Sequence, residues 1–133
     1  MQHFDHEKLD VYQTAVEWVA LAQDIVDGML SHKGHGPLAD QLQRAASSIT
    51  LNVAEGAGEF SRTEKARFYR IAKRSAMECA AIIHMSLRLG LIDEDTCEES
   101  HELLDRVSAM LTKMPRKRAE PGPGAGTGTG LAT

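Results

Sequence analysis

Apolar residues return every three or four positions in four stretches of this chain and nowhere alternate as a strand would. From about Asp5 to Leu30, the residues Leu9, Tyr12, Val16, Val19, Ala22, Val26 and Met29 form one stripe, with Asp5 as a plausible N-cap. Trp18 and Leu21 lie partly off that stripe, so they either widen the core face or supply a contact for another subunit, the second being the preferred reading. The polar run 31–36 ends this helix. Gly36-Pro37 opens a second helix, because proline is tolerated at the first helical position. It reaches about Glu55, where Gly56-Ala57-Gly58 supplies residues able to take positive φ. Ser61-Arg62-Thr63-Glu64 has the form of a capping box and starts a third helix that continues to Leu89-Gly90. Its apolar face carries Phe68, Tyr69, Ile71, Ala72, Ala76, Cys79, Ile82, Ile83 and Leu87, and at roughly 28 residues it is the longest element. A fourth helix begins at Asp93 or Asp95, carries Cys97, Leu104, Val107, Leu111 and Met114, and ends at Pro115.

Four amphipathic helices on short connections must run antiparallel to their neighbours. The expected fold is therefore all-α, an antiparallel up-down-up-down four-helix bundle, over residues 1–114. Residues 115–133 are rich in Pro and Gly, have nothing to bury, and read as a disordered tail. Its Arg116-Lys117-Arg118 triplet either binds nucleic acid or an acidic surface or, the reading adopted, belongs to a solubilising C-terminus without a dedicated partner.

Helix two is the most informative stretch. Leu38, Leu42, Ala45, Ala46, Ile49, Val53 and Gly56 share a narrow arc that has to be buried. Beside it Gln41, Ser48, Asn52 and Glu55 stack in a column, with Arg44 just outside. Half-buried amides and carboxylates need hydrogen-bond partners, since leaving one unpaired costs about 1–3 kcal/mol. The column is either a structural network that fixes helix register or a subunit interface, or else a site for a small polar ligand. It contains no histidine, cysteine or second carboxylate with which to drive chemistry.

Charge adds a second pattern. The chain has 133 residues, a formal net charge of −4, 42% hydrophobic and 26% charged residues, which suits a single globular domain but not a protein that coats nucleic acid by bulk charge. The distribution is uneven: helices one and four are acidic, whereas Arg62, Lys65, Arg67, Arg70, Lys73 and Arg74 gather on helix three, opposite its apolar face. That arc either meets a phosphate backbone, or pairs with the acidic helices of a neighbouring copy or simply solvates a face. Cys79 and Cys97 lack C-x-x-C spacing and are expected as reduced, buried thiols. The six histidines lack the Glu-x-x-His pairs of di-iron bundles; His84 and His101 are expected at the surface or core edge. No metal site, cofactor or catalytic residue is expected, because no phosphate loop and no nucleophile beside a base can be found. Without a signal segment or a long apolar run, the protein is expected to be cytoplasmic, with no membrane partner.

The pattern Gln41-Leu42-x-Arg44-Ala45-Ala46-x-Ser48-Ile49-x-x-Asn52-Val53-Ala54-Glu55-Gly56, followed by Ile71-Ala72-x-x-Ser75-x-x-Glu78, resembles the bacterial four-helix-bundle family that includes the 23S rRNA intervening-sequence proteins. The accessory variability proteins of diversity-generating retroelements are related to it. The resemblance covers about residues 4 to 114. It implies a homo-oligomer, a pentameric ring in members of known architecture, with no established enzymatic activity. It adds Glu78 to the column residues as a candidate for assembly. It also brings RNA, DNA or a reverse transcriptase as possible partners, since the retroelement members bind nucleic acid and work with that enzyme. Those members are strongly basic, and this chain is not. The expected function is accordingly a non-enzymatic oligomeric accessory or scaffold for a nucleic acid or nucleoprotein, with a purely protein-binding adaptor as the alternative.

Overall fold

The computed structural model describes residues 9–114 as four helices: α1, Asp10–Leu30; α2, Gly36–Ala57; α3, Arg62–Arg88; and α4, Glu94–Thr112. The proposed Asp5 cap and the 115–133 tail lie outside the described residues. Packing follows chain order. Each helix lies against two neighbours, α1 on α2 and α4, and α3 on α2 and α4, so the four enclose one core as an all-α bundle.

The ends of the helices follow local chemistry. Ser61 accepts a hydrogen bond from the backbone N–H of Glu64 at 3.2 Å, and Asp93 accepts one from Thr96 at 2.7 Å, so α3 and α4 each start on a side-chain cap. Two details depart from expectation at the other boundaries. Helix α1 starts at Asp10 rather than Asp5, because Leu9 is extended and occupies the N-cap position without a side-chain bond. At the end of α2, Gly58 stays right-handed at φ −84°, and the positive φ values fall instead at Gly34 and Gly90. Gly90 closes α3 in a Schellman arrangement, with Leu91 N–H donating to Ser86 O and Gly90 N–H to Leu87 O.

Gly56 serves a different purpose. A Cβ placed there would lie 2.5 Å from Cε1 and 2.9 Å from Cδ1 of Tyr69, so the absent side chain is what lets the α3 ring pack directly on the α2 backbone. One turn further along, Lys65 Nζ donates to the carbonyls of Gly56 at 2.9 Å and Ala57 at 3.1 Å. This places a cation on the negative end of α2, which has no basic residue in its own last turn.

The seam of α2 is buried as expected at Leu42, Ala45, Ala46, Ile49, Val53 and Gly56, with Ala39 added and Leu38 only partly covered. On α1 the buried face is rotated from the expected one. Val11, Ala15, Trp18, Ala22, Ile25, Val26 and Met29 are buried, whereas Val16 is 44% exposed. Trp18 is therefore core and not an intersubunit contact; its ring has the largest apolar area on the helix, and burying it fixes which way α1 turns. Leu21 is partly covered at the core edge.

Trp18 reaches the middle of the bundle. Its buried indole N–H has no hydrogen-bond partner of ordinary geometry, yet its side chain acts on the Cys79 thiol of α3. Sulfur is a weak, soft acceptor, which accounts for both observations. Burial pushes the Cys79 thiol up to about 12, Trp18 opposing the rise and the charge of Glu78 adding to it. Three other buried hydroxyls are satisfied within their own helices, Thr14 donating to Asp10 O, Ser86 to Ile82 O and Ser100 to Thr96 O at 2.7–2.9 Å, whereas the buried Thr50 hydroxyl has no partner.

Two measurable consequences follow from this packing. Gly56→Ala forces the Tyr69 ring to move, and an overpacked contact of this kind costs about 1–3 kcal/mol, more than the roughly 1 kcal/mol of helix propensity that alanine gains. Chemical denaturation should show a net loss of stability, reduced when Tyr69 is also shortened. Cys79 gives the second. The folded thiol holds its proton from the ordinary value of 9.0 up to about 12, while the unfolded thiol releases it, so stability falls as pH rises through that window. Denaturation at pH 8 and pH 10.5 should show a smaller alkaline loss in Cys79→Ala than in the parent. The remainder carries the same sign from Tyr69, whose hydroxyl is also pushed up by burial.

Candidate functional site

The column on α2 divides when the helices pack. Ser48 and Asn52 are half-buried, but Gln41, Arg44 and Glu55 are exposed, as is Glu78 on α3. The expectation of a continuous half-buried column is corrected here, because packing covers Ser48 and Asn52 but leaves the side of α2 that carries Gln41, Arg44 and Glu55 open. There Ser75 of α3 donates to Ser48 Oγ at 2.8 Å, and the Asn52 amide donates to Ser48 O at 2.8 Å and Ser48 Oγ at 3.1 Å. This serine-serine-asparagine cluster joins α2 to α3. It is a register device within the protomer, while Arg44 is held along its own helix by Asp40 at 2.6 Å.

Beside the cluster, Gln43, Arg44, Ser47, Ser48, Leu51 and Asn52 line a shallow open depression. Leu51 stands out of it, 64% exposed, and Met77 of α3 is 65% exposed. Neither was singled out from the sequence, since a lone apolar residue between polar neighbours carries no periodic signal.

The basic arc of α3 also divides. Lys65 is spent on the carbonyl end of α2 and is not available to an outside anion. Arg67 pairs with Glu64 at 2.8 Å and lies over the Phe68 ring, 4.5 Å from its centroid; both partners of the ion pair are about half exposed, so the pair adds little stability. Arg62 is exposed at the start of the helix and Lys73 is half-buried at the side. Arg70 and Arg74 point outward, one turn apart, and continue the row begun by Arg67 over about 10 Å of helix. Phe60, in the turn between α2 and α3 that precedes the row in sequence, is fully exposed at 104%. Sequence reasoning passed over Phe60; an aromatic in a short polar turn, Gly58-Glu59-Phe60-Ser61, was the available signal.

The opposite side of the bundle has the opposite charge. Glu17, Ala20, Leu21 and Asp24 of α1 face Glu99, Glu102 and Leu103 of α4 across an open groove of about 460 Å³. Among the described residues no three of His, Cys, Asp and Glu converge as a metal cluster, and no helix is long and apolar enough to cross a membrane.

Comparison with known proteins agrees with the architecture. No curated protein matches the chain. A solved protein of unknown function from the S23 ribosomal protein family of Bacteroides thetaiotaomicron is similar in fold, with a TM-score of 0.75 at 17% identity over 80% of this chain and 99% of that one. The sequence model described as "23S rRNA-intervening sequence protein" matches residues 7–113, which takes in all four helices and the α2–α3 pattern. The chain therefore belongs to the 23S rRNA-intervening sequence protein family.

Proposed function

We propose that this protein is a non-catalytic, self-assembling scaffold of the cytoplasm that holds nucleic acid along the outer face of α3. The observation that carries the reading is the outward row Arg67, Arg70 and Arg74 with the exposed Phe60 in the turn that precedes it. Arginines along a helix neutralise successive phosphates, and an aromatic ring beside them offers a platform on which an unpaired base stacks. The words 23S rRNA in the family's description make structured RNA the first ligand to test. A nucleoprotein such as a reverse transcriptase complex is the partner that the sequence resemblance suggests.

Self-assembly is supported by the exposed Leu51 and Met77 near the polar residues Gln41, Arg44, Glu55 and Glu78. A ring of five is the arrangement implied by the same resemblance. Repetition around a ring multiplies a modest arginine row into a continuous one, which offsets the net negative charge of the single chain.

A second reading has its own observation, the acidic α1–α4 groove. In that reading the groove takes a basic protein partner, or the arginines of the next copy, and the protein is an adaptor without nucleic acid.

Fluorescence anisotropy with structured RNA, single-stranded DNA and duplex DNA across salt, with mass in solution recorded alongside, separates the two. Arg70→Glu/Arg74→Glu is expected to weaken RNA binding at least tenfold and to flatten the salt slope by about 1.4–1.8 per chain, because each phosphate no longer neutralised removes about 0.7–0.9. Phe60→Ala is expected to weaken binding to unpaired strands about five- to 150-fold, from the roughly 1–3 kcal/mol of a base stack. Unchanged affinity in both variants removes the nucleic-acid reading. A fall in mass in the double arginine variant, without RNA binding by the parent, supports the adaptor.

A further inference from the structure

His84 of α3 and His101 of α4 are seventeen residues apart in sequence, yet the packing of the two helices brings their Nε2 atoms to 2.9 Å and their ring centroids to 4.6 Å, with the ring planes 53° apart. His84 is exposed and His101 half-buried, so the pair is open to solvent, with one ring carried by each helix. These two distances together constrain how far the rings tilt from the line between their Nε2 atoms. If a collinear N–H···N hydrogen bond joined the rings, the centroids would lie about 5.2 Å apart at this nitrogen separation. The observed value is shorter, so the rings are tilted off the line between their nitrogens and the pair is not a collinear hydrogen bond.

The two separations have chemical meaning. Two imidazoles that each bind one ion at about 2.0 Å, in cis positions roughly 90° apart, place their nitrogens about 2.9 Å and their centroids about 4.5 Å apart. A tetrahedral ion at the same bond length needs the nitrogens about 3.3 Å apart. We propose that His84 and His101 form a two-histidine site that chelates a divalent transition metal of tetragonal or octahedral preference, copper(II) ahead of nickel(II), across the α3–α4 seam.

Nothing but a proton stands between the pair as it is and the chelate. In the neutral pair one Nε2 carries the hydrogen that bridges to the other; binding requires both Nε2 atoms bare, so that hydrogen shifts to Nδ1 of the same ring and the net charge of the two rings is unchanged. The other coordination positions fall to water, because no third His, Cys, Asp or Glu converges with the pair among the described residues. The site is thus an open one. Its protein ligands come from two different helices, and an ion held there stabilises the folded bundle over the unfolded chain, in which the two rings are no longer held together.

The test uses the full chain in a His3→Ala background, which keeps a histidine close to the N-terminal amine from taking copper by itself. Copper(II) and nickel(II) are titrated by calorimetry, with the melting temperature followed in parallel. One equivalent per chain is expected, tighter for copper than for nickel, together with a rise in melting temperature. His84→Ala and His101→Ala should each weaken that equivalent at least tenfold and abolish the rise, whereas His32→Ala/His35→Ala should leave both in place. His84 is exposed, so its alanine variant remains decisive even if the His101 variant folds poorly. The proposal is overturned if the parent takes up no ion at millimolar metal, or if His84→Ala binds as tightly as the parent.

Discussion

The bundle depends on how closely α3 can approach α2. Where Gly56 leaves its backbone bare, the Tyr69 ring occupies the space a methyl group would have taken. Two polar contacts hold the same pair of helices at other heights: Lys65 on the terminal carbonyls of α2, and Ser75 on Ser48 with Asn52 behind it. Each is short-ranged and directional. Sliding one helix along the other by a single turn would break all of them at once, so register between α2 and α3 is specified far more tightly than hydrophobic contact alone would require.

That pairing sets what the surface can offer. Because Tyr69 and Lys65 face inward or back toward α2, the outward side of α3 is left to Arg67, Arg70 and Arg74, and the turn that makes the approach possible throws Phe60 into solvent. The acidic residues of α1 and α4 lie around the bundle from this row, with α1 and α4 closing the square on the far side. The molecule is therefore two-faced in charge although its sum is small. Such a division matters most when copies assemble, since it decides whether like or unlike faces meet.

Most of the architecture was legible along the chain. Four periodic stretches, the serine cap at Ser61 and the aspartate cap at Asp93 fix four helices, and the short connections 31–35, 58–61 and 89–93 leave an antiparallel bundle as the simple solution. The seam of α2 was readable residue by residue, because its polar and apolar positions separate cleanly. The face of α1 was not: its apolar residues, Val11, Val16, Trp18, Val19, Leu21 and Ile25 among them, go nearly all round the helix, so period alone allowed more than one phase.

The sequence by itself determined the class of fold, the placement of the helices and the charge character of each helix, because these follow from periodicity, caps and composition, all of which are local; the family came from the resemblance of the α2–α3 residue pattern. Tertiary structure alone decided which of several equivalent-looking residues does what. Packing sent Lys65 to a helix end and Arg70 to solvent, buried Trp18 and exposed Val16, and left Gln41 and Glu55 outside a cluster that Ser48, Asn52 and Ser75 share. It also brought His84 to His101 across a helix pair, a contact between residues seventeen positions apart that no period encodes. The physical reason is the same in each case: a helical pattern defines a face, but only the neighbour that packs on it defines which part of the face is covered.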